Sequence, residues 1–268
     1  MKKTMRVFDY EKKISGLQDN LRLEMFNSKL ARLLPEELKE VKGKILDVGC
    51  GAGSYTGILK LYRPQLKVYG VDISRAAIKK AKKDFPNINF VIASTDRLPF
   101  PDGFFDAVVM KCVLEHLKDP DKALVEVRRV LKPGGLFYSV TPLEGDKLVL
   151  SSCQKFSWKY QGHFQRFSRT SLVSLLEKNG FVVKRYYFWG FLLCQTISFV
   201  YYHLLNIFNL PFHFSVIAYF SEGKPALRKR LLVYLRNAVT FLLNTESLVV
   251  PQSFPGLFMH IVTVNGKI

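Results

Sequence analysis

A glycine-rich turn after a short apolar run is the part of this sequence best suited to chemistry. A strand-to-helix turn without Cβ atoms lets a ligand approach the backbone and meet N–H groups. An aspartate ends the next apolar run, where a carboxylate can accept both hydroxyls of a ribose. A generic turn beside a solvated aspartate is the simpler interpretation, but the combination with an acidic residue before the turn favours an adenosine site. The residues concerned are Asp47, Gly49, Gly51, Gly53 and Asp72.

The spacing of these glycines argues against two common phosphate sites. A nicotinamide dinucleotide fingerprint requires G-x-G-x-x-G, but the third glycine comes one residue early, at Gly53, and Ser54 takes its place. The lysine-containing phosphate loop (P-loop) of nucleoside triphosphatases is also absent from the sequence. The pattern therefore predicts an adenosine site without a pyrophosphate.

Apolar runs that alternate with helical periods surround this turn. The predicted strands cover residues 44–48, 67–71, 88–93, 105–110, 136–140, 181–187 and 259–264. Helices are predicted at 55–61, around Ile78 and Ala81, at 120–130, and from a cap at Ser168 or Thr170 to Asn179. This rhythm is typical of an α/β protein with a parallel sheet and helices on both faces.

We predict three parts in the chain. Residues 1–40 form an N-terminal helical cap, because apolar residues recur at helical spacing as far as Pro35. Residues 41–188 and 250–268 form the core. Residues 189–249 form a hydrophobic helical insertion before the last strand, where a compact sheet needs only a few residues.

The insertion has three interpretations. Residues 188–207 are long enough to cross a bilayer but contain polar residues such as Gln195 and Asn206, which are costly in lipid. Residues 225–244 place basic side chains opposite an apolar helical face, a pattern typical of membrane-surface helices. These basic residues are Arg228, Lys229, Arg230 and Arg236. A lid over the core and a spanning segment stay open, and we favour surface attachment.

Charge and cysteine content limit the class of protein. The 268 residues contain 40 basic and 22 acidic side chains, and the resulting charge of +18 attracts phosphates, anionic lipids or nucleic acid. The four cysteines have no CxxC spacing, which argues against a zinc site or a disulfide scaffold and fits a reducing compartment. The first 40 residues contain no uninterrupted apolar segment, so we do not expect a cleaved signal peptide. We expect a cytoplasmic protein, peripheral at the membrane.

Several motifs, in order, resemble the class I S-adenosylmethionine-dependent methyltransferases, in their small-molecule, methyltransferase-11-like branch. The glycine turn and Asp47 match D-x-G-x-G-x-G, and Asp72 matches the acidic end of the second strand. Residues 97–106 are similar to the family segment LPFPDxSFD, and residues 113–120 and 129–135 to the signature of the branch. The resemblance implies a Rossmann-like, seven-stranded, mostly parallel sheet with the insertion before its last strand.

The resemblance also implies the cofactor, S-adenosylmethionine, and the residues that bind it. The glycine turn would contact the methionine half and the ribose. Because Ser94 stands where many relatives have Asp, either Asp96 or a backbone amide would contact the exocyclic amine of adenine. The remaining contacts would be Asp47 near the amino group, Asp72 on the ribose hydroxyls, Ile73 on the adenine face, Thr95 and Asp96 at the adenine edge, and Lys111 beside the methyl group through its backbone.

The sulfonium methyl group is already activated, so the protein must chiefly align the acceptor and exclude water, and we expect no metal. A hydroxyl acceptor is helped by a general base, for which His116 is the candidate; a structural histidine in the turn is the alternative. His163 and Arg166 lie in a segment that often lines the acceptor pocket in relatives. Arg166 can hold a carboxylate or a phosphate, and a plain basic loop is the alternative.

We therefore expect a methyltransferase that acts on oxygen or carbon of a small, lipophilic acceptor near a membrane. A nucleic-acid methyltransferase is one alternative, but the Asn/Asp-Pro-Pro-Tyr/Phe signature of base-amine methylases is absent after residue 110. A non-catalytic cofactor-binding protein in an assembly is the other, against which the intact glycine turn and Asp72 argue. The expected partners are a small-molecule or lipid acceptor and an anionic membrane surface, and nucleic acid is disfavoured.

Overall fold

The computed structural model describes residues 37–143, 162–189, 196, 256 and 258–266. The described strands are β1 (Lys44–Val48), β2 (Lys67–Asp72), β3 (Asn89–Ile92), β4 (Phe105–Lys111), β5 (Leu131–Pro142), β6 (Phe181–Trp189) and β7 (Phe258–Asn265). The described α-helices are α1 (Ser54–Tyr62), α2 (Arg75–Asp84), α3 (Pro120–Val130) and α4 (Arg169–Lys178). The strands form one sheet in the order β3-β2-β1-β4-β5-β7-β6.

The sheet is mostly parallel, as the sequence predicts. Strands β1 to β5 pair in parallel, and β7 runs antiparallel to both of its neighbours, β5 and β6. The chain order reverses at β1, which lies between β2 and β4. In open α/β sheets, ligands bind outside the carboxyl ends of the strands at such a point. The glycine turn lies there.

Local signals set the helix ends close to the predicted positions. Helix α3 has Pro120 at its first position after the N-cap Asp119, and it ends at Val130, as predicted. Helix α4 is capped by Ser168 rather than Thr170, because Ser168 and Ser171 form a reciprocal capping box.

Strand β5 begins earlier than predicted, at Leu131 instead of residue 136. Phe105 pairs with Leu131 and Ala107 pairs with Leu136, so the Lys-Pro-Gly-Gly segment bulges out of the ladder. The glycines were expected to precede the strand, but pairing on both sides of the bulge includes them in it.

The core lies on both faces of the sheet, because successive residues of a strand point in opposite directions. In β1, Leu46 belongs to one apolar cluster and Ile45 to the other. Helices α3 and α4 cover the first cluster with Leu124 and Leu172, and α1 covers the second with Leu59. The prediction of helices on both faces is therefore confirmed.

Two predicted parts of the chain cannot be compared with the structure. The helical cap, apart from residues 37–40, and the insertion at 189–249, apart from residues 189 and 196, lie outside the described residues. Within the described part of the chain, the helices are too short or too polar to cross a bilayer.

Candidate active site

The glycine turn follows β1 and folds over the end of β2. Its three glycines all have left-handed backbone, with φ of 73° at Gly49, 54° at Gly51 and 81° at Gly53. A Cβ atom at Gly49 would lie 2.4 Å from Val113 Cγ2, and one at Gly53 would lie 2.8 Å from Phe90 Cζ. A Cβ atom at Gly51 would meet nothing within 4 Å. Gly49 and Gly53 therefore let Val113 and Phe90 pack against the turn, and Gly51 is the point at which a ligand can approach the backbone.

Asp72 holds this turn in place. Its Oδ2 accepts a hydrogen bond from Gly51 N at 2.8 Å, and its Oδ1 accepts one from Ser74 N at 2.9 Å. A carboxylate has about four acceptor positions, so Asp72 can also accept two ribose hydroxyls. The next residue, Ile73, is 70% exposed, which leaves an apolar surface beside the carboxylate on which an adenine ring could lie.

The predicted adenine-edge residues lie on the same edge of the sheet. Asp72 pairs with Ile92 of β3, and Ala93 N donates to the Asp72 carbonyl at 3.1 Å. Thr95 and Asp96 follow within three residues; Thr95 is half-buried and Asp96 is exposed. Both therefore follow the end of the strand that pairs with β2 at Asp72.

The segment that resembles LPFPDxSFD has a structural role after β3. The guanidinium of Arg129 donates to the carbonyls of Leu98 and Phe100, at 2.9 and 2.8 Å, and pairs with Asp102 and Glu126. These bonds fix the loop to α3. The motif thus positions the chain that carries Thr95 and Asp96.

Asp47 lies beneath the turn, and its side chain is buried. Thr56 Oγ1 of α1 donates to Asp47 Oδ2 at 2.7 Å. Burial raises the pKa of Asp47 to about 7, while the Thr56 hydrogen bond and the charge of Lys111 act in the opposite direction. Lys111 Nζ lies 3.4 Å from the centroid of the Tyr55 ring, a cation–π contact. Asp47 thus joins α1 to β1, and its predicted contact with the amino group of the cofactor stays a prediction.

The chain turns sharply after β4. Cys112 has a φ of 51°, a left-handed conformation that non-glycine residues rarely adopt, and its N–H donates to Val140 O at 2.8 Å. Burial raises the pKa of the Cys112 thiol to about 12, and the charge of Glu115 adds to the rise. The thiol is therefore protonated at neutral pH. The turn leads into a single 3₁₀ turn, Leu114–His116.

A second segment packs on this 3₁₀ turn and brings the two candidate histidines together. Phe164 N and Gln165 N donate to Glu115 O at 2.7 and 3.1 Å, and His116 Nδ1 lies 3.4 Å from Gly162 O. The rings of His116 and His163 meet edge to face, with centroids 4.7 Å apart. His116 is half-buried and His163 is buried.

Two further residues complete this acceptor-side group. Glu115 is 1% exposed, and a carboxylate oxygen of Glu115 and one nitrogen of each histidine all lie within 4.8 Å of one another. Glu115 lies in the segment 113–120 that resembles the signature of the branch. Its neighbours Leu114 and Leu117 were the one signal that its side chain would be buried. Arg166 follows on the same segment and is exposed.

The fold and the glycine turn define a nucleoside-binding α/β protein, and comparison with known proteins gives the family. A family model described as a methyltransferase domain matches residues 46–139. A demethylmenaquinone methyltransferase of Geobacillus stearothermophilus is 31% identical over 175 residues, which cover 54% of this chain and 74% of that protein. The chain belongs to the class I S-adenosylmethionine-dependent methyltransferases, and S-adenosylmethionine is its cofactor. The open approach at Gly51 and the exposed Ile73 fit the adenosine half of that cofactor.

Other similarities are more limited. An uncharacterized methyltransferase of Schizosaccharomyces pombe is 44% identical over 129 residues, which are 43% of this chain and 45% of that protein. The matches span about half or less of the length of the first curated relatives. A solved structure described as a sarcosine dimethylglycine methyltransferase from Galdieria sulphuraria superposes with a TM-score of 0.59 at 17% identity, over 89% of this chain and 86% of that chain. This last similarity concerns the fold alone.

Proposed function

We propose that this protein transfers a methyl group to oxygen or carbon of a small lipophilic acceptor with a quinone-type ring. The observation that carries the proposal is the pair of histidines beside the end of β4, next to the glycine turn on which Val113 packs. The relative from Geobacillus stearothermophilus, named a demethylmenaquinone methyltransferase, supports the acceptor class. A hydroquinone combines an apolar ring with hydroxyls that a base can deprotonate.

In this proposal the two sides of the site have separate tasks. The cofactor, when bound, supplies a methyl group on a sulfonium, which is already electrophilic. Asp72, Gly51 and Ile73 would hold the adenosine half of the cofactor. The acceptor side aligns the nucleophile and excludes water, since proximity and orientation of the reacting groups lower the barrier to such a transfer.

His116 is the proposed general base. In the neutral tautomer that donates from Nδ1 to Gly162 O, 3.4 Å away, Nε2 of His116 has the lone pair. Nε2 would accept the hydroxyl proton of the acceptor. The electron pair that is released makes the oxygen, or the conjugated ring carbon, attack the methyl carbon as the bond to sulfur breaks. For attack at carbon, the ring proton is lost afterwards.

The segment that carries His163 also offers contacts for the rest of the acceptor. Phe164 is 38% exposed and can contact an apolar chain or ring. Exposed Arg166 can pair with an anionic group on the acceptor or at a membrane surface.

The activity can be tested with the purified chain, S-adenosylmethionine and reduced demethylmenaquinone. Mass spectrometry should detect the methylated quinol, and no product should form from the same acceptor when it is kept oxidised. Total RNA and extracted lipids from cells that lack the gene provide the competing acceptors. Methyl incorporation into RNA alone would overturn the proposal.

We also propose peripheral attachment to an anionic membrane, on the sequence of the insertion. Each Lys or Arg near an anionic surface contributes about 1 kcal/mol. Changing Arg228, Lys229, Arg230 and Arg236 to Gln should therefore strongly reduce co-sedimentation with phosphatidylserine liposomes, and salt should weaken binding of the unmodified chain. If the unmodified chain stays in the supernatant at low salt, the attachment is wrong.

A further inference from the structure

Three members of the acceptor-side group, Glu115, His116 and His163, can do more than accept a proton. One carboxylate and two imidazoles converge there from two segments 46 residues apart. Two histidines and one carboxylate form a common ligand set for catalytic zinc and for non-haem iron. We propose that these three residues bind one divalent transition-metal ion, with Zn²⁺ as the best fit.

The distances suit such an ion. The three donor atoms lie within 4.8 Å of one another. Two ligands of a tetrahedral zinc, each about 2.1 Å from the metal, lie about 3.4 Å apart, so modest side-chain rotations complete the arrangement. The two imidazole planes lie at 82° to each other, with ring centroids 4.7 Å apart.

The backbone around the three residues is held by several hydrogen bonds. The Glu115 carbonyl accepts from Phe164 N and Gln165 N, and Gln165 Nε2 donates to the carbonyls of Leu117 and Lys118, each at 3.2 Å. A hydrogen bond from His116 Nδ1 to Gly162 O, 3.4 Å away, would leave the lone pair on Nε2 for a metal. Metal-binding histidines usually donate their other ring N–H to a carbonyl or a carboxylate in this way.

The burial of Glu115 and His163 gives an electrostatic argument for a bound cation. Glu115 is 1% exposed and His163 is 4% exposed. A buried carboxylate is costly unless a cation or hydrogen bonds compensate its charge. The Cys112 thiol is a hydrogen-bonding partner of Glu115, and a divalent ion between Glu115 and the two histidines would add to the compensation of its charge.

Three protein ligands leave at least one coordination position for another molecule, as in catalytic rather than structural zinc sites. The role of the ion rests on the proposed function: a metal-bound hydroxyl of the acceptor loses its proton far more readily. A metal-bound His116 cannot also accept a proton, so the metal would lower the pKa of the bound hydroxyl and the proton would pass to solvent water.

The test is a titration of the full-length chain, without an oligohistidine tag and after chelator treatment, with Zn²⁺ by calorimetry and with Co²⁺ by visible absorption. We expect one equivalent to bind and Co²⁺ to show the absorption of a low-symmetry nitrogen and oxygen site. Glu115→Gln and His163→Asn should each weaken binding at least about tenfold, since even loss of an outer-shell partner has that effect. Melting temperature and S-adenosylhomocysteine affinity report whether each variant is folded.

One control matches the carboxylate substitution. Glu177→Gln removes an exposed carboxylate from α4 and should not change metal affinity. Absence of saturable Zn²⁺ and Co²⁺ binding, or equal binding by His163→Asn, overturns the site. Because the titration needs no acceptor, it can fail independently of the proposed methyl transfer. Turnover of demethylmenaquinol that survives complete chelation would overturn the catalytic role of the ion.

Discussion

The cofactor side and the acceptor side of the site are built in different ways. On the cofactor side, the contacts come from one turn and the ends of adjacent strands, and much of the geometry is backbone. Gly51 N bonds to Asp72, and Gly49 N and Cys50 N bond to Val71 O. On the acceptor side, three ionisable side chains meet only because two distant segments pack together.

The two sides should therefore respond differently to substitutions. The turn depends on left-handed glycines and one carboxylate, so its substitutions should change cofactor affinity. The acceptor-side group contributes side-chain chemistry, so substitutions in it should change turnover and leave cofactor affinity unchanged. Variants that break this division would show that the two sides act as one unit.

The largest expected effect is on turnover. His116→Ala should lower kcat by about 10²–10⁴, because it removes either the base or a metal ligand. The affinity for S-adenosylhomocysteine, measured by calorimetry, should stay unchanged. A parallel loss of cofactor affinity or of melting temperature would instead assign His116 a structural role in the contact with residues 162–167.

On the cofactor side, Asp72→Ala should weaken S-adenosylhomocysteine binding at least about tenfold, since each hydrogen bond to a charged group is worth about 1.5–3 kcal/mol. Asp72 also holds Gly51 N, so affinity alone does not isolate the ribose contact. The 2′-deoxy analogue of S-adenosylhomocysteine isolates that contact, because it lacks one of the two ribose hydroxyls. The unmodified protein should prefer the ribose form, and Asp72→Ala should bind both forms about equally. A preference that persists would refute the ribose contact.

The glycine turn offers a smaller and sharper comparison. Gly51→Ala and Gly103→Ala place a Cβ atom at similar φ, 54° and 60°, with no neighbour closer than 4.0 Å. Each should lower stability by about 1–2 kcal/mol. Only Gly51→Ala should weaken S-adenosylhomocysteine binding, by about fivefold, or about 1 kcal/mol. Equal binding by the two variants would mean that the cofactor does not approach Gly51.

The cofactor side could be predicted from the sequence because its signals are local. Strand β1, the three glycines and Asp72 lie within 29 residues of one another, and each has a backbone conformation or a position in the sheet that its residue type favours. The ends of α3 were also set by neighbouring residues, Asp119, Pro120 and the Lys-Pro-Gly-Gly segment. The start of β5 was not set by neighbouring residues, because it depends on the pairing of Leu131 with Phe105 of β4.

The acceptor side could be predicted only in part. His116 was identified separately from His163 and Arg166, because it lies 46 residues before Gly162 and no sequence pattern joins the two segments. The expectation that no metal is bound rested on the activated methyl group of the cofactor, before the contact between the two segments was known. Glu115 joined the group only when the packing of residues 162–167 was known. The burial of Asp47 was also hidden, since its partner Thr56 lies on the next helix.

The smallest expected effect concerns Asp47 and sharpens the boundary between the two sides. Its pKa in the folded protein is raised to about 7 by burial, so the folded state keeps a proton that the unfolded chain has released. This contribution to stability is fully present below the ordinary carboxylate pKa and is lost as the pH rises through about 7. Over the window from pH 6 to pH 8 the loss is about 1 kcal/mol, or about 3 °C in Tm. The carboxyls whose pKa values are lowered, those of Asp106, Asp121 and Glu126, titrate below this window.

Asp47→Asn tests this directly, because the amide oxygen can still accept from Thr56 while the titration disappears. Thermal unfolding at several pH values between about 6 and 8 should show a flatter stability profile for the variant than for the unmodified protein. Asp72 and Lys111 are the charges that act on Asp47. If the two profiles fall in parallel, Asp47 is ionised throughout, and the Lys111 charge outweighs burial beneath the turn. A flat profile with unchanged S-adenosylhomocysteine affinity would assign Asp47 to the support of the turn rather than to the cofactor.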